Sequence, residues 1–338
     1  MKKLLSKLFP PSFYQKLSDA YYRLLHRLCS LFPIVPNKVF IVSYYGADFG
    51  DNGKAIAREL LRRGGYDIVW ALKPELMGSH HLPEGVRAVA YHTPAAVREM
   101  QTAAVWIDNC RKSQGFKRKG QLYIQTWHGG PGVKKCEGDS ESALNPRYAA
   151  MARRDSRMID ILLSNSDFMD ALFNRAFWYE NTILRTGTPR NDQIAAKDGR
   201  IREAVCAQYG VAPEKKIVLY APTFRASRTL DLYNLDIPAV LSALRERFTG
   251  EWVLFARLHP NISGLSGAFQ LDEGAVNVTL HPDMQELLCA ADCLITDYSS
   301  CATDFLLSGK PCFLYLPDYD AYNEERGYYF TQAEQPYP

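Results

Sequence analysis

The sequence predicts an α/β fold in which two open domains, each a doubly wound parallel sheet, follow a short helical N-terminus. Three observations lead there. The chain has 338 residues, more than one core usually organises, so two domains are the default. Short runs rich in β-branched and aromatic residues alternate with helical segments, the rhythm of βαβ units. The unusual polar residues stand directly after those runs, at the carboxyl ends of strands where open α/β sheets bind ligands.

Composition narrows the class. A hydrophobic content of 47% and a charged content of 23% are those of a globular protein. A formal net charge of +3 argues against a nucleic-acid partner. The charge is uneven: residues 1–31 hold six basic side chains against Asp19, +5 in all, which leaves −2 on the remainder. Eight cysteines without a CxxC pair or zinc spacing predict reduced, mostly buried thiols. No signal peptide is recognisable, and no run approaches the roughly 18 apolar residues of a spanning helix.

In residues 1–36, Leu4, Leu5, Leu8, Leu17, Tyr21, Leu24, Leu25 and Leu28 recur at helical spacing among lysines and arginines, and Pro10-Pro11 divides them into two short amphipathic helices. Such helices suit an anionic membrane surface, or pack on their own domain with the charges solvated. Residues 37–190 form the first domain. Strands are predicted at Lys38–Tyr44, Tyr66–Leu72, Val86–Tyr91, Ala104–Asp108, Gln121–Ile124, Ile159–Ser164 and Thr182–Thr186. Helices run from Asp51, a candidate cap, to Gly64, over Pro94–Met100, over Asn145–Met158, and from Ser166 or Asp167. The turn-rich Gly187–Asp192 marks the boundary. Residues 191–338 repeat the grammar: strands at Lys215–Tyr220, Trp252–Leu258, Val276–Leu280, Cys293–Thr296 and Pro311–Leu316, helices at Ile237–Phe248, Met284–Ala290 behind Asp283, and Cys301–Ser308.

The candidate site follows from the strand ends. His128, after Gln121–Ile124 and before Gly129 and Gly130, can meet a substrate and accept a proton near neutral pH; otherwise it is a loop histidine beside turn glycines. The acid-free basic stretch from Arg111 to Lys135 reads as a rim for a phosphate-bearing substrate or an anionic membrane, or as a solvated loop. In the second domain Thr296-Asp297-Tyr298-Ser299-Ser300 runs from a strand into a helix start. Its backbone N–H groups and the Ser299 and Ser300 hydroxyls suit phosphate; the alternative, compatible with it, is a plain N-cap at Asp297 or Ser299. Asp304, seven residues past Asp297, orders the site or pairs locally. Arg225 offers a planar fork for phosphate oxygens or a structural salt bridge, and His259, held extended before Pro260, donates to a phosphate or caps a carbonyl. Facing one another, two such domains make a cleft. No P-loop, paired-aspartate metal motif or Ser-His-Asp arrangement is present.

TWHGGPGVKK, TGTPRND, YAPTFR, RLHPN and TDYSSCATDFLLSGKPCFLYLPDYDAY with RGYYF, in this order, resemble the CDP-glycerol glycerophosphotransferase family of teichoic-acid and capsule polymer enzymes, over about Lys38 to Phe330. The resemblance implies a GT-B-like architecture, two Rossmann-like domains with parallel sheets facing across a cleft, attached peripherally to the cytoplasmic face of the cell membrane. It implies that residues 37–190 hold the acceptor and residues 191–338 the CDP-alditol. By it, His128 is the general base, His259 contacts the donor phosphates, Arg225 lies near the pyrophosphate, and Thr296, Asp297, Ser299 and Ser300 form the phosphate-binding helix start. Arg190 and Asn191 fall in a motif expected to close the cleft.

The implied reaction moves glycerol phosphate, or a related alditol phosphate, from CDP-glycerol or CDP-ribitol to a hydroxyl of a polyprenyl-diphosphate-linked sugar acceptor, releasing CMP, with priming expected and no metal or cofactor required. Two alternatives are a GT-B glycosyltransferase using a nucleotide sugar and a non-catalytic membrane-surface binding protein. Two departures from the family pattern stand out. The family tail runs further than Pro338, so truncation is expected, and Gly-Gly-Pro-Gly replaces the usual Gly-Thr-Pro after His128, which leaves the acceptor open.

Overall fold

The computed structural model describes residues 11–78, 82–113, 115–129, 135–223, 225, 235–258, 273–330 and 334. The chain forms two α/β units, Met1–His128 with Leu144–Thr188, and Gly129–Ala143 with Pro189–Pro338. The segment after His128 belongs to the second unit, where the Lys135 N–H donates to the Gly327 carbonyl (2.9 Å).

The first unit contains α1 (Pro11–Cys29), β1 (Val35–Val42), α2 (Asp51–Arg63), β2 (Asp67–Leu72), β3 (Val86–Ala90), α3 (Pro94–Thr102), β4 (Ala103–Asp108), β5 (Leu122–Gln125), α4 (Pro146–Ser156), β6 (Ile161–Ser164), α5 (Asp167–Ala176) and β7 (Thr182–Arg185). Its sheet runs β3-β2-β1-β4-β5-β6-β7, every neighbouring pair parallel. The second unit contains α6 (Asp192–Ala196), α7 (Gly199–Tyr209), β8 (Lys216–Ala221), α8 (Ile237–Phe248), β9 (Trp252–Ala256), β10 (Ala275–Asn277), α9 (Met284–Ala290), β11 (Cys293–Thr296), α10 (Cys301–Leu306), β12 (Cys312–Leu314) and α11 (Tyr319–Arg326). Its sheet, β10-β9-β8-β11-β12, is also parallel throughout. Both orders reverse direction beside the first strand, at β1/β4 and at β8/β11. Such switch points open a crevice at the carboxyl ends of the strands.

Parallel sheets persist because helices cover both faces. Along β8, Ile217, Leu219 and Ala221 enter one apolar cluster, while Val218 and Tyr220 enter the other. In the first unit α2 lies close on its sheet: a Cβ at Gly53 would come within 2.8 Å of the Trp70 ring. Ser166 and Asp283 cap α5 and α9 as expected, taking the N–H groups of Met169 and Gln285. Asp51 does not cap α2. Gly50 holds that position, and the Asp51 carboxylate takes the Asn52 N–H instead.

Of the two N-terminal helices expected, the one before Pro10 lies outside the described residues, and the other is α1. Its two faces differ in kind. Tyr22, Leu25 and Cys29 pack with Val97 of α3, whereas Leu17, Tyr21, Leu24 and Leu28 are exposed. His26, on the inner face, is fully enclosed and accepts at Nδ1 from the Gln101 amide (3.1 Å).

Burial, reinforced by Lys112 and Arg154, pushes His26 from 6.5 down to about 4. As pH falls, the unfolded chain therefore takes up this proton first. The stability contributed by His26 is complete above the unfolded value and is lost as pH falls toward 4, up to about 3 kcal/mol. Asp155, raised by burial to about 6, acts in the opposite sense over an overlapping range. The His26 contribution is thus read as a difference. In urea unfolding between pH 7 and pH 4, wild type should lose more stability than His26→Gln. A gap that stays constant over that range would refute the assignment.

Candidate active site

In the first unit the site is built on the ends of β1, β4 and β5. The His128 Nδ1 lies 2.6 Å from the Asn109 carbonyl, with the Cys110 sulfur farther off at 3.7 Å. A carbonyl only accepts, so Nδ1 carries a proton, and in the neutral form of the ring Nε2 is the basic nitrogen. The half-buried ring is flanked by Tyr44, edge-on at 5.5 Å, and by Trp127 at 4.5 Å. Asn109 is itself fixed, its side chain accepting the Tyr44 N–H (2.8 Å) and donating to Ser43 Oγ (3.2 Å).

Backbone strain gathers at the same place. Trp127 is left-handed at φ 54°, and Tyr44, Tyr45 and Asp51 are likewise at φ 45°, 58° and 59°. Such conformations persist only where the surroundings enforce them. At Trp127 they do. Gln125 Oε1 accepts its N–H (2.9 Å), Asn52 Nδ2 donates to its carbonyl (2.9 Å), and its ring meets Phe177 edge-on at 4.7 Å. This posture aims the next residue, His128.

The basic stretch after β4 does not make the expected rim. Arg111 and Lys112 are buried, Arg111 beside Asp155 (3.6 Å) and Lys112 on Asp108 (2.7 Å). Lys117 pairs with Asp160, and Arg118 donates to the carbonyls of Phe32 and Gln101. Buried cations need such partners, because desolvating an unpaired charge costs several kcal/mol. Lys119 and Lys135 are exposed, and Lys134 lies outside the described residues.

In the second unit the switch point between β8 and β11 gathers Thr223, Arg225 and Asp297. The Asp297 carboxylate accepts the Thr223 N–H with both oxygens (2.8 and 2.9 Å) and pairs with Arg225 (3.0 Å). Arg225 also forms a two-pronged pair with Asp318 (2.6 and 3.0 Å) and lies 4.9 Å from the centres of the stacked Tyr298 and Tyr322 rings. Burial opposes its charge, yet Asp318 and Asp297 hold Arg225 above the ordinary arginine range. The structural salt bridge expected as the alternative for Arg225 is therefore present. Thr223, 8% exposed, has a buried hydroxyl without a hydrogen-bond partner among the described residues.

The remaining candidates divide. Thr296 is enclosed and donates to the Ala221 carbonyl (2.6 Å), locking β11 to β8. Asp297 spans the two strand ends and does not cap α10. Ser300 holds the cap position without a side-chain bond, while Ser299 Oγ takes the Cys301 N–H at 3.4 Å. Both serines are half-buried. With only 6 residues in α10, little helix dipole stands behind them. Asp304 faces inward and is buried: it accepts from Arg190 Nε (2.9 Å), Asn191 (2.7 Å) and Gln285 (2.8 Å), so it orders the turn. Gly129 is half-buried, and Gly130 and His259 lie outside the described residues.

The sequence reading missed Tyr44, Asn52 and Asn109 around His128, and Thr223 and Asp318 around Arg225. Asn109 and Thr223 also stand just past strands, so the strand-end rule applied to β4 and β8 would have found them. Asp318 gave no such signal, because its partner is 93 residues away in the chain.

Two parallel-sheet units with polar switch points define a GT-B-like transferase fold. Solved structures of the wall teichoic acid polymerase TagF share it, one with a TM-score of 0.81 at 26% identity, covering 98% of this chain and 86% of that one. One such structure is of a variant soaked with CDPG. The chain belongs to the CDP-glycerol:poly(glycerophosphate) glycerophosphotransferase family, whose model matches residues 24–338. The teichoic acid glycerol-phosphate transferase of Staphylococcus aureus is 27% identical, over 99% of this chain and 86% of that protein. The teichoic acid poly(glycerol phosphate) polymerase of Staphylococcus epidermidis is 28% identical over 89% of this chain, which spans only 43% of that longer protein.

Proposed function

We propose that this protein transfers glycerol phosphate, or a related alditol phosphate, from CDP-glycerol to a hydroxyl of a membrane-lipid-linked acceptor, adding a first unit. The acceptor oxygen attacks the β-phosphorus, the bond from that phosphorus to the CMP oxygen breaks, and CMP leaves. The acceptor proton passes to His128 Nε2. The observation that carries this reading is the His128–Asn109 hydrogen bond, which fixes a proton-accepting tautomer. The Thr223 hydroxyl, the Ser299–Ser300 turn and Arg225 are the phosphate ligands, with Asp318 and Asp297 orienting the guanidinium. His259 keeps the donor-phosphate role that its motif implies. The CDPG-soaked relative supports the choice of donor.

The test is CMP release from purified protein given CDP-glycerol, CDP-ribitol or UDP-sugars with candidate lipid acceptors. UDP release without CMP would instead mark a sugar transferase. Tight CDP-glycerol binding without turnover would mark a binding protein.

The same reading places the protein peripherally on the cytoplasmic face of the membrane. Among the described residues no helix is long and apolar enough to cross a bilayer. The outer face of α1 is suited to lie on one: Leu17, Tyr21, Leu24 and Leu28 stand exposed beside Lys16, Arg23 and Arg27. Replacing Leu24 and Leu28 with glutamate should reduce sedimentation with phosphatidylglycerol vesicles about tenfold or more. Unchanged sedimentation would rule this face out as the contact.

A further inference from the structure

Two clefts adjoin on the first unit, and the proposed chemistry uses neither. One, about 700 Å³, lies between α1 and α4 and is lined by Lys16, Arg23, Arg147 and Arg154, with Asp19 and His26. The other, about 670 Å³, is lined by Tyr45, Tyr91, His92 and Tyr148. Ser113 and Met151 belong to both walls, so the clefts are neighbours.

The first cleft sets four cations against one carboxylate in a protein whose whole formal charge is +3. Among the described residues, no ion pair involves Lys16, Arg23, Arg147 or Arg154. Like charges crowded into one concavity repel one another and draw in an anion. Arg154 is anchored on the wall by donating to the Ser113 carbonyl. His26 stands behind the wall of the cleft, enclosed and held by Gln101. The Phe116 carbonyl accepts from the Gln101 amide nitrogen, which also donates to His26 Nδ1, so the ring proton sits on Nε2. Several guanidinium forks with an ammonium group suit the closely spaced oxygens of a diphosphate. The helix that supplies Lys16 and Arg23 also carries the exposed leucines. Tyr45, in the aromatic cleft, follows Tyr44, whose ring touches His128.

We infer that the α1–α4 cleft holds the diphosphate of an amphiphilic acceptor, with its apolar chain along the outer face of α1 and its sugar head in the Tyr45–Tyr148 cleft. This rests on the transfer reaction proposed above and supplies the acceptor subsite that reaction lacks. Aromatic walls with few polar groups suit a sugar ring.

Calorimetry with farnesyl diphosphate, inorganic pyrophosphate and farnesol tests the cleft without turnover. Arg23→Gln with Arg147→Gln, both exposed, should weaken farnesyl diphosphate and pyrophosphate about tenfold or more, with farnesol unaffected. With a lipid-diphosphate acceptor the same variant should raise the acceptor KM about tenfold and leave the CDP-glycerol KM within about twofold. Equal farnesyl diphosphate affinity in variant and wild type would overturn the inference. So would a loss confined to phosphatidylglycerol vesicles, which would make the cleft a plain bilayer contact. Thermal midpoints confirm folding, and Arg147→Gln alone serves if the pair unfolds. Should wild type release no CMP, the transfer reading fails, and the calorimetry still decides the cleft.

Discussion

His128→Ala is expected to cut CMP release in the transfer reaction by about 10²- to 10⁴-fold while CDP-glycerol affinity stays near wild type. The argument is geometric. The Asn109 carbonyl holds the Nδ1 proton at 2.6 Å, leaving Nε2 as the basic nitrogen, and Tyr44 and Trp127 flank the ring. Removing the imidazole deletes a proton acceptor from the transition state and, in the proposed mechanism, no contact to the donor nucleotide. Single-turnover CMP release and calorimetric CDP-glycerol binding, measured side by side, separate the two effects. Normal turnover in His128→Ala would refute the base assignment. A matched loss of affinity would give the residue a binding role instead.

Asp304→Ala should be the most damaging single change to the second unit, costing about 3–5 kcal/mol. Asp304 receives Arg190, Asn191 and Gln285, all four residues being buried. Alanine would withdraw the carboxylate from the Arg190 guanidinium, which is 3% exposed. Asp304→Asn keeps the shape and part of the hydrogen bonding, so it should cost less. Urea unfolding followed by a probe in the second unit reads both variants, because a two-unit chain need not unfold in one step. A loss below about 1 kcal/mol for Asp304→Ala would show that the cluster is dispensable.

The two parallel sheets were legible because their strands are buried on both faces and read as continuous apolar runs, as in Trp252–Ala256. Helix ends written in local chemistry, such as Ser166, Asp283 and Gly64, were legible for the same reason. What escaped depends on distant pairing. Nothing local shows that Arg111 turns into the core toward Asp155, so the charge run there looked like a surface, although Asp108, the partner of Lys112, stands only four residues before it. The Asp304 cluster joins residues more than 100 positions apart. The left-handed backbone at Trp127 contradicts local preference and is enforced by Gln125, Asn52 and Phe177, only the first of them a near neighbour. His128 was found because it follows a strand, but its tautomer depends on a carbonyl 19 residues earlier.

The two-faced character of α1 bears on how the protein would meet its acceptor. One side of the helix shows Leu17, Tyr21, Leu24 and Leu28 to the surroundings, and the same helix lends Lys16 and Arg23 to the cationic cleft. A protein anchored by that helix would search for its partner in two dimensions, already turned the right way up. Turnover would then follow the crowding of acceptor within the lipid film, so that diluting it with inert lipid slows the reaction even when the amount per millilitre is unchanged.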